Sequence, residues 1–305
     1  MTTLTPALVE EYNAFGPWVT TVTSAADVPP VFAGYAIDLG ASIRVLKFPR
    51  PESRRDLVAG MDLYNYLLVL TAYRITVLER RGSEVVVGDF DLAQLASLSS
   101  GANLLDGWLS LSFTTGESYA MPYNGSSSDL IAKLVDTIRG LVVPIVDDNR
   151  PRRGVTGLEL PLPMDALGRD DAVFSNVANR LGADGATVFS ARGRIRVHPR
   201  EGGFTGLTHV FRPATLHASV MASTLHELII YSRVEWITRS TTPEISLKRT
   251  VVLLDHVDSV SALAHEHYAD ATTVVITSGQ AVLEAIVPAA TEQQLVLAAS
   301  RRPRG

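Results

Sequence analysis

The most regular pattern of hydrophobic and polar residues lies in the range 119–141, where alternation of period two changes to spacings of three and four. The alternation predicts a strand that ends near Tyr123, and the longer spacing predicts an amphipathic helix over residues 126–139. Ser127 or Ser128 is expected to cap this helix. Its apolar stripe consists of Leu130, Ile131, Leu134, Val135 and Ile138.

Short apolar runs and period-two alternation predict strands in both halves of the chain. The predicted strands cover residues 31–38, 42–48, 61–71, 74–80, 84–87, 90–95, 104–113, 187–189 and 194–198. Further helices are predicted over residues 5–14, 171–181 and 290–299. The tryptophans are expected to anchor the core; they are Trp18, Trp108 and Trp236. The chain is therefore predicted to be an α+β protein that is mainly β.

Three segments of the first half have counterparts, in the same order, in the second half. Residues 42–50 resemble 192–200, residues 67–78 resemble 228–237, and residues 112–117 resemble 275–280. Each series is followed by a predicted helix. An ordered internal similarity of this kind indicates a duplicated unit.

The repeat predicts two tandem units, each a curved antiparallel sheet or partly open barrel closed by a C-terminal helix. Repeated prolines between the units are typical of an extended connector. The expected segments are an N-terminal helix (1–16), a first unit (17–142), a proline-rich connector (143–169), a second unit with a leading helix (170–300) and a basic tail (301–305).

Composition narrows the classes of function. The chain has 305 residues, a formal net charge of −5 and no cysteine. The acidic balance argues against nucleic acid as a partner, and the lack of cysteine excludes disulfides, thiolate catalysis and cysteine zinc sites. No apolar run approaches the roughly 18 residues of a membrane span, and the first residues lack the pattern of a signal peptide. We therefore expect a cytoplasmic protein without a transmembrane segment.

No motif predicts a catalytic residue or a cofactor. The nucleophile-elbow pattern G-x-S-x-G and the glycine patterns that bind phosphate are absent from the sequence. The densest histidine group is His256, Asp258, His265 and His267. On a strand, His265 and His267 would share a face and could hold a metal together. No third ligand has diagnostic spacing, so polar loop histidines are the favoured interpretation and no metal is predicted.

Two groups of basic residues are the candidate sites for an anion or partner. The first lies around a strand and its loop, at Arg44, Lys47, Arg50, Arg54 and Arg55. The second occupies the corresponding place in the second unit, at Arg194, Arg196, His198 and Arg200. An anionic headgroup or an acidic peptide would suit such a strand face. A solvated outer strand face is the competing interpretation.

The pattern resembles the pleckstrin-homology-like superfold in its bacterial form. The resemblance is carried by residues 67–79, 104–118 and 123–139, and it covers residues 31–141 well and 187–300 loosely. It implies two near-orthogonal antiparallel sheets closed by one helix, and a binding module rather than a catalyst. Lipid-binding members carry a basic signature over their first two strands. Here Arg44, Lys47 and Arg50 are its nearest counterparts. The acidic Asp38 lies in the same region and departs from the basic signature.

The favoured expectation is a non-catalytic interaction or scaffold protein that binds a protein partner or assembles with copies of itself. Sheet edges and a groove beside a helix both accept an added strand or peptide. Peripheral binding of anionic lipid headgroups is the first alternative. A metal-dependent hydrolase that uses the histidine and aspartate group is the second.

Overall fold

A computed structural model describes residues 6–52, 54–143, 154–200, 213–240 and 244–300. The predicted basic tail, the first five residues and residues 144–153 of the predicted connector lie outside the described residues. The α-helices are α1 (Pro6–Ala14), α2 (Ser128–Val142), α3 (Ala172–Ala183) and α4 (Ala289–Ala299).

The strands account for most of the regular structure. Those before α3 are β1 (Thr20–Thr21), β2 (Arg44–Pro49), β3 (Tyr64–Leu70), β4 (Arg74–Arg81), β5 (Glu84–Asp91), β6 (Leu95–Asn103), β7 (Asp106–Phe113) and β8 (Ser118–Asn124). Those after α3 are β9 (Thr187–Arg192), β10 (Ile195–Val197), β11 (Ala214–Leu216), β12 (Ser219–Ser223), β13 (Glu227–Ser232), β14 (Ile237–Thr238), β15 (Leu247–Leu253), β16 (Ser259–Ala264), β17 (Ala271–Ser278) and β18 (Ala281–Pro288).

The prediction of an α+β protein that is mainly β is confirmed. The described strands form several antiparallel sheets, and none of these closes into a barrel. Contacts along the chain divide the described residues into two compact units. The first holds the residues up to Leu95 together with 102–110 and 119–143. The second holds 96–101, 111–118 and the residues from 154 onward.

The first unit is built on an antiparallel sheet in the order β1-β2-β3-β4-β5. Its core includes Phe15, Phe32 and Leu67, all nearly inaccessible to solvent. The predicted strands over 42–48, 61–71 and 74–80 correspond to β2, β3 and β4. β2 and β3 bury consecutive residues, such as Val45 with Leu46 and Leu67 with Leu68, so both faces of these strands contribute to the core.

Helix α2 ends the first unit and buries one face. Ile131, Leu134, Val135 and Ile138 are all buried, as the apolar stripe predicts. The predicted serine cap is wrong, because neither side chain accepts a hydrogen bond from the first turn. The hydroxyl of Ser127 instead accepts the Val19 amide at 3.1 Å.

The turn before α2 requires a glycine. The Gly125 amide donates to the Leu105 carbonyl at 2.6 Å. A Cβ at this position would lie 2.2 Å from the Leu104 carbonyl oxygen. Only a residue without a side chain permits so close an approach of two backbones.

The second unit contains a sheet in the order β9-β12-β13-β15, which is extended beyond β15 by residues 96–101 of β6. One face of this sheet packs against α3 through Phe174 and Val177. The other face shares a core with Leu295 of α4. Helix α4 also packs against the separate sheet β16-β17-β18.

The described part of the proline-rich segment, residues 154–169, contains no helix or strand before a single turn of 3-10 helix at its end. It nevertheless packs against the second unit. Leu160 and Leu162 contact the core beside α3, and the Leu158 amide donates to the Val188 carbonyl at 2.7 Å.

Several predicted elements are wrong. Residues 31–38 form no strand, and a turn of 3-10 helix at Pro30–Phe32 occupies the start of this range. The strand predicted over 90–95 stops at Asp91, where the carboxylate accepts the Ala93 amide and begins a further 3-10 turn. Trp18 is not a core anchor, since 52% of it is exposed, while Trp108 and Trp236 are half-buried.

Burial of the α2 stripe gives a test of the fold. Leu134→Ala is expected to lower the free energy of unfolding by about 2–5 kcal/mol, because it removes buried surface and leaves a cavity. Lys133→Ala, on the exposed face, should change it by less than about 0.5 kcal/mol. Urea denaturation of both variants is the measurement. Equal, small effects would show that α2 is not docked on the unit.

Candidate functional site

The structure separates the basic residues that the sequence groups together in the first unit. Arg44 and Lys47 are three positions apart on β2 and therefore point to opposite faces of the sheet. Arg44 is exposed. The Lys47 ammonium donates to the Asp27 carbonyl at 2.8 Å and lies 4.9 Å from the centre of the Tyr64 ring. It is thus already engaged within the protein.

Lys47 belongs to a half-buried group of ionisable side chains. Burial raises the pKa of Glu11 to about 7, although the charge of Lys47 opposes this shift. Burial also lowers the pKa of Lys47. The pKa of Tyr64 is raised to about 12, first by burial and then by the charge of Glu11. These shifts share a structural cause, which is the removal of ionised groups from water.

Of the loop arginines in the first unit, Arg50 already has partners within the protein. Arg50 donates to the Glu52 carboxylate and, at 3.3 Å, to the Asp62 carbonyl. Arg55 is exposed, and the side chain of Arg54 lies outside the described part of the structure. Arg50 also lines a cavity of about 440 Å³ with Pro17, Pro49, Pro51 and Tyr123 among its walls. Its charge there is balanced by Glu52.

The second basic group is also divided. Arg194 forms an ion pair with the buried Asp171 at 2.9 Å, and Asp171 pairs in turn with Arg233 at 2.8 Å. Arg196 is exposed on β10, next to the fully buried Val197. The Arg194 charge is therefore used to balance a carboxylate inside the unit.

The last members of the second group hold a loop in place. His198 contacts the Asp270 carboxylate through its ring and donates its amide to the same oxygen at 3.1 Å. The Arg200 guanidinium donates to the His265 carbonyl at 2.8 Å. The backbone amide of Arg200 donates to the His267 carbonyl at 3.0 Å. The loop that carries both histidines is thereby tied to residues 198–200.

The four residues of the predicted metal group do not converge. His256 and Asp258 precede β16, whereas His265 and His267 follow it, so six strand residues, or about 20 Å, separate the two pairs. The expectation that His265 and His267 share a strand face is wrong, because β16 ends at Ala264. Within the described ranges, no group of three or more histidine, aspartate or glutamate residues is placed to hold a metal.

The most distinctive open surface of the second unit is the outer edge of β16. This strand pairs with β17 on one side only, and no other described strand pairs with it. The His265 amide donates to the Ala271 carbonyl at 3.0 Å, so the backbone groups of His265 face β17. Backbone groups alternate between the two sides of an antiparallel strand. Val260, Ala262 and Ala264 therefore point their N–H and C=O groups away from β17.

The composition of β16 makes this edge unusual. Its sequence S-V-S-A-L-A contains neither a charge nor a proline, and 57% of Leu263 is exposed. Most edge strands carry charges, prolines or bulges that prevent pairing with another chain. The opposite edge of the same sheet follows that rule, because β18 carries Glu284 and ends at Pro288. One edge is thus protected and the other is open.

Sequence analysis assigned no strand to residues 259–264. Small side chains give only a weak hydrophobic alternation. The histidines and aspartates on either side are typical of a polar loop. The available signal was the uncharged run itself, bounded by Asp258 and His265. A six-residue run without charge between polar groups is consistent with a strand.

Comparisons with known proteins add no functional assignment. No protein-family model matches the sequence, and no curated protein matches it either. Among the described residues, no helix is long and apolar enough to cross a membrane.

The raised pKa of Glu11 predicts a pH-dependent stability. Its pKa is about 7 in the folded protein against 4.5 ordinarily, so the folded state holds more protons between these values. Stability therefore falls as pH rises through this window. Glu11→Gln removes the ionisation and should leave the melting temperature unchanged near pH 4.5 but raise it above pH 7.

Thermal unfolding across this pH range, monitored by circular dichroism, measures the difference between the variant and the native protein. Glu10→Gln is the matched control, since Glu10 is exposed on the same helix and its substitution should have little effect at any pH. A difference for Glu11→Gln that stays constant from pH 4.5 to 7 would contradict the interpretation.

Proposed function

We propose that this protein is a non-catalytic interaction protein that accepts a β-strand from a protein partner, or from a second copy of itself, at the open edge of β16. The observation that carries the proposal is the uncharged, proline-free edge with outward backbone groups at Val260, Ala262 and Ala264. Main-chain hydrogen bonds to an added strand supply affinity, and side-chain contacts supply selectivity.

The position of β16 suits strand addition. Its sheet is already supported on the inner side, where Val274, Ile276 and Val287 are buried in a core shared with Leu295 of α4. An added strand therefore extends an existing ladder and does not need to open the core. Strand addition of this kind changes the backbone of the receiving sheet little.

The finer architecture that we infer is two pleckstrin-homology-like units. Its support is that antiparallel strands precede both α2 and α4, and that each helix buries an apolar face. In such a fold the helix closes one side of the sheets and leaves edges and grooves for partners. The inference is consistent with a binding role but does not depend on it.

The proposal of a protein partner is favoured over an anionic lipid because several candidate cations have protein partners already. Lys47 is bonded to a carbonyl, Arg50 is paired with Glu52, and Arg194 is paired with Asp171. Binding of a membrane surface needs a concentration of free basic groups. Enzymatic activity is likewise not proposed, since the four residues of the metal-hydrolase alternative lie at opposite ends of β16.

A proline at Ala262 tests the strand-accepting edge. The Ala262 N–H points away from β17, so Ala262→Pro removes an outward donor without breaking the existing ladder. We expect it to weaken partner binding or self-association about tenfold or more, because one hydrogen bond is lost and the ring blocks close approach. Sedimentation velocity measures self-association, and capture from native lysate followed by titration of the purified partner measures binding.

Val282→Pro is the matched control, since Val282 is 62% exposed and its N–H points away from β17 at the opposite edge. Its effect on binding should be less than about twofold. Ala262→Lys, which places a charge on the open edge, provides a second variant if the proline disturbs folding. Unchanged association for folded Ala262 variants, or equal losses at both edges, would refute the β16 site.

A further inference from the structure

Four polar residues lie in one row across the sheet β9-β12-β13-β15 of the second unit. Ser219 is the register partner of both Arg192 and Ser232, and Ser232 is the partner of Lys248. Directly opposed residues of an antiparallel sheet point to the same face. The row therefore places a guanidinium at one end, an ammonium at the other and two hydroxyls between them.

The row lies on the face that shares its core with α4. Met221 and Ile230, two positions along β12 and β13, are buried in that core, and side chains two apart point the same way. The backbones of Arg192 and Lys248 are three strand spacings apart, or about 14 Å. Both side chains are long and flexible, so their charged ends can approach one another above the serines.

Among the described residues, the cation of Arg192 has no counter-charge. Its Nε and Nη2 atoms are buried without a hydrogen-bond partner, and Nη1 donates only to the Gly193 carbonyl at 3.4 Å. Burial alone lowers the pKa of Arg192 to about 10, with no contribution from an acidic group. A buried cation without a partner is costly, because its hydration is lost and nothing replaces it.

Lys248, at the other end of the row, is half-buried. Burial lowers the pKa of its ammonium, again with no acidic contribution, and no described carboxylate pairs with it. Two acidic residues of the second unit have partners of their own: Asp171 pairs with Arg194 and Arg233, and Glu244 accepts the Ser246 amide. The two cations of the row thus share one missing anion.

The hydroxyls of the row define the chemistry of that anion. Ser219 is fully buried, and its Oγ has no hydrogen-bond partner among the described residues. The Ser232 hydroxyl donates to the Arg233 carbonyl at 2.8 Å, so its oxygen is left to accept a hydrogen bond, which a P–OH group can donate. Ser190 and Thr250 are buried on the same face, two residues from Arg192 on β9 and from Lys248 on β15. Polar groups on four neighbouring strands of one sheet face can each meet a different oxygen of the same ligand. A tetrahedral oxyanion uses such an arrangement better than a planar carboxylate, because it presents oxygens in more directions.

We propose that Arg192, Ser219, Ser232 and Lys248 form a binding site for a phosphate group. The site is separate from the open edge of β16. It is formed by side chains on a sheet and not by a glycine-rich phosphate-binding loop. Free phosphate compounds and lipid headgroups share this chemistry. The burial of Ser219 and Ser232 favours a small soluble phosphate compound over a headgroup held in a bilayer.

Isothermal titration with inorganic phosphate tests the site, at near-neutral pH and with ionic strength held constant by sodium chloride. The native protein is expected to bind, and Arg192→Gln and Lys248→Met should each weaken binding about tenfold or more, since each removes a charged hydrogen-bond donor. Arg196→Gln is the control, because Arg196 is exposed and close in sequence; it should change binding less than about twofold.

Thermal unfolding gives a second readout that does not depend on titration heats. Lys248→Met should raise the melting temperature in the absence of phosphate, because it removes a half-buried charge that no described carboxylate balances. Phosphate should raise the melting temperature of the native protein more than that of Lys248→Met at the same phosphate concentration. If Arg192→Gln does not fold, Lys248→Met alone decides the test.

Two results would overturn the proposal. One is the absence of both heat and stabilisation in the native protein at phosphate concentrations up to about 10 mM. The other is unchanged phosphate affinity in folded Lys248→Met. A parallel arm uses vesicles that contain phosphatidylinositol phosphate. Vesicle binding that is lost in the same variants would assign the site to a headgroup, and phosphate binding without vesicle binding would assign it to a soluble compound.

Discussion

The structure of the second unit depends on one constraint, the burial of β12 and β13 on both faces. Every residue of these two strands is buried, between the α3 core on one side and the α4 core on the other. A polar group placed there cannot use water and needs a partner within the protein. Asp171 satisfies this need for Arg194 and Arg233, which it holds together at the start of α3. Arg192 on β9 and Lys248 on β15 lie in the strands on either side of this pair, and neither charge has an acidic partner among the described residues.

Edges obey a different rule from the buried centre. At the centre, polar groups are costly, whereas at an edge the danger is an apolar strand that pairs with any chain it meets. β18 carries Glu284 on its outer side, and β16 carries no such protection. The two candidate sites follow from these two rules: one is a buried charge without a partner, and the other is an exposed ladder without a strand.

The sequence predicts best where one strong period is present. Helix α2 was predicted over 126–139 and is observed at Ser128–Val142, because five apolar residues on one stripe, four of them buried, leave no competing pattern. β12 and β16 were not predicted, since serine and alanine fill most of their positions and give little alternation.

Charges are visible in the sequence, but their pairing is not. Arg50 and Glu52 are two residues apart, whereas Asp171 and Arg233 are separated by 62 and meet only through the fold. The row from Arg192 to Lys248 depends on strand register, which no spacing in the sequence discloses.

Turn chemistry explains part of the internal similarity of the chain. Residues 112–117 and 275–280 both end a strand at a hairpin, and both turns use a glycine with positive φ, Gly116 at 98° and Gly279 at 60°. The Gln280 amide donates to the Thr114 carbonyl at 2.8 Å, and a Cβ on Gly279 would lie 2.1 Å from that oxygen. Glycine is therefore required here both by the backbone conformation and by a close contact. These requirements alone produce similar short sequences, so this segment gives little support for duplication. The order of strands followed by a buried helix, at α2 and again at α4, is the stronger argument, because no single turn imposes it.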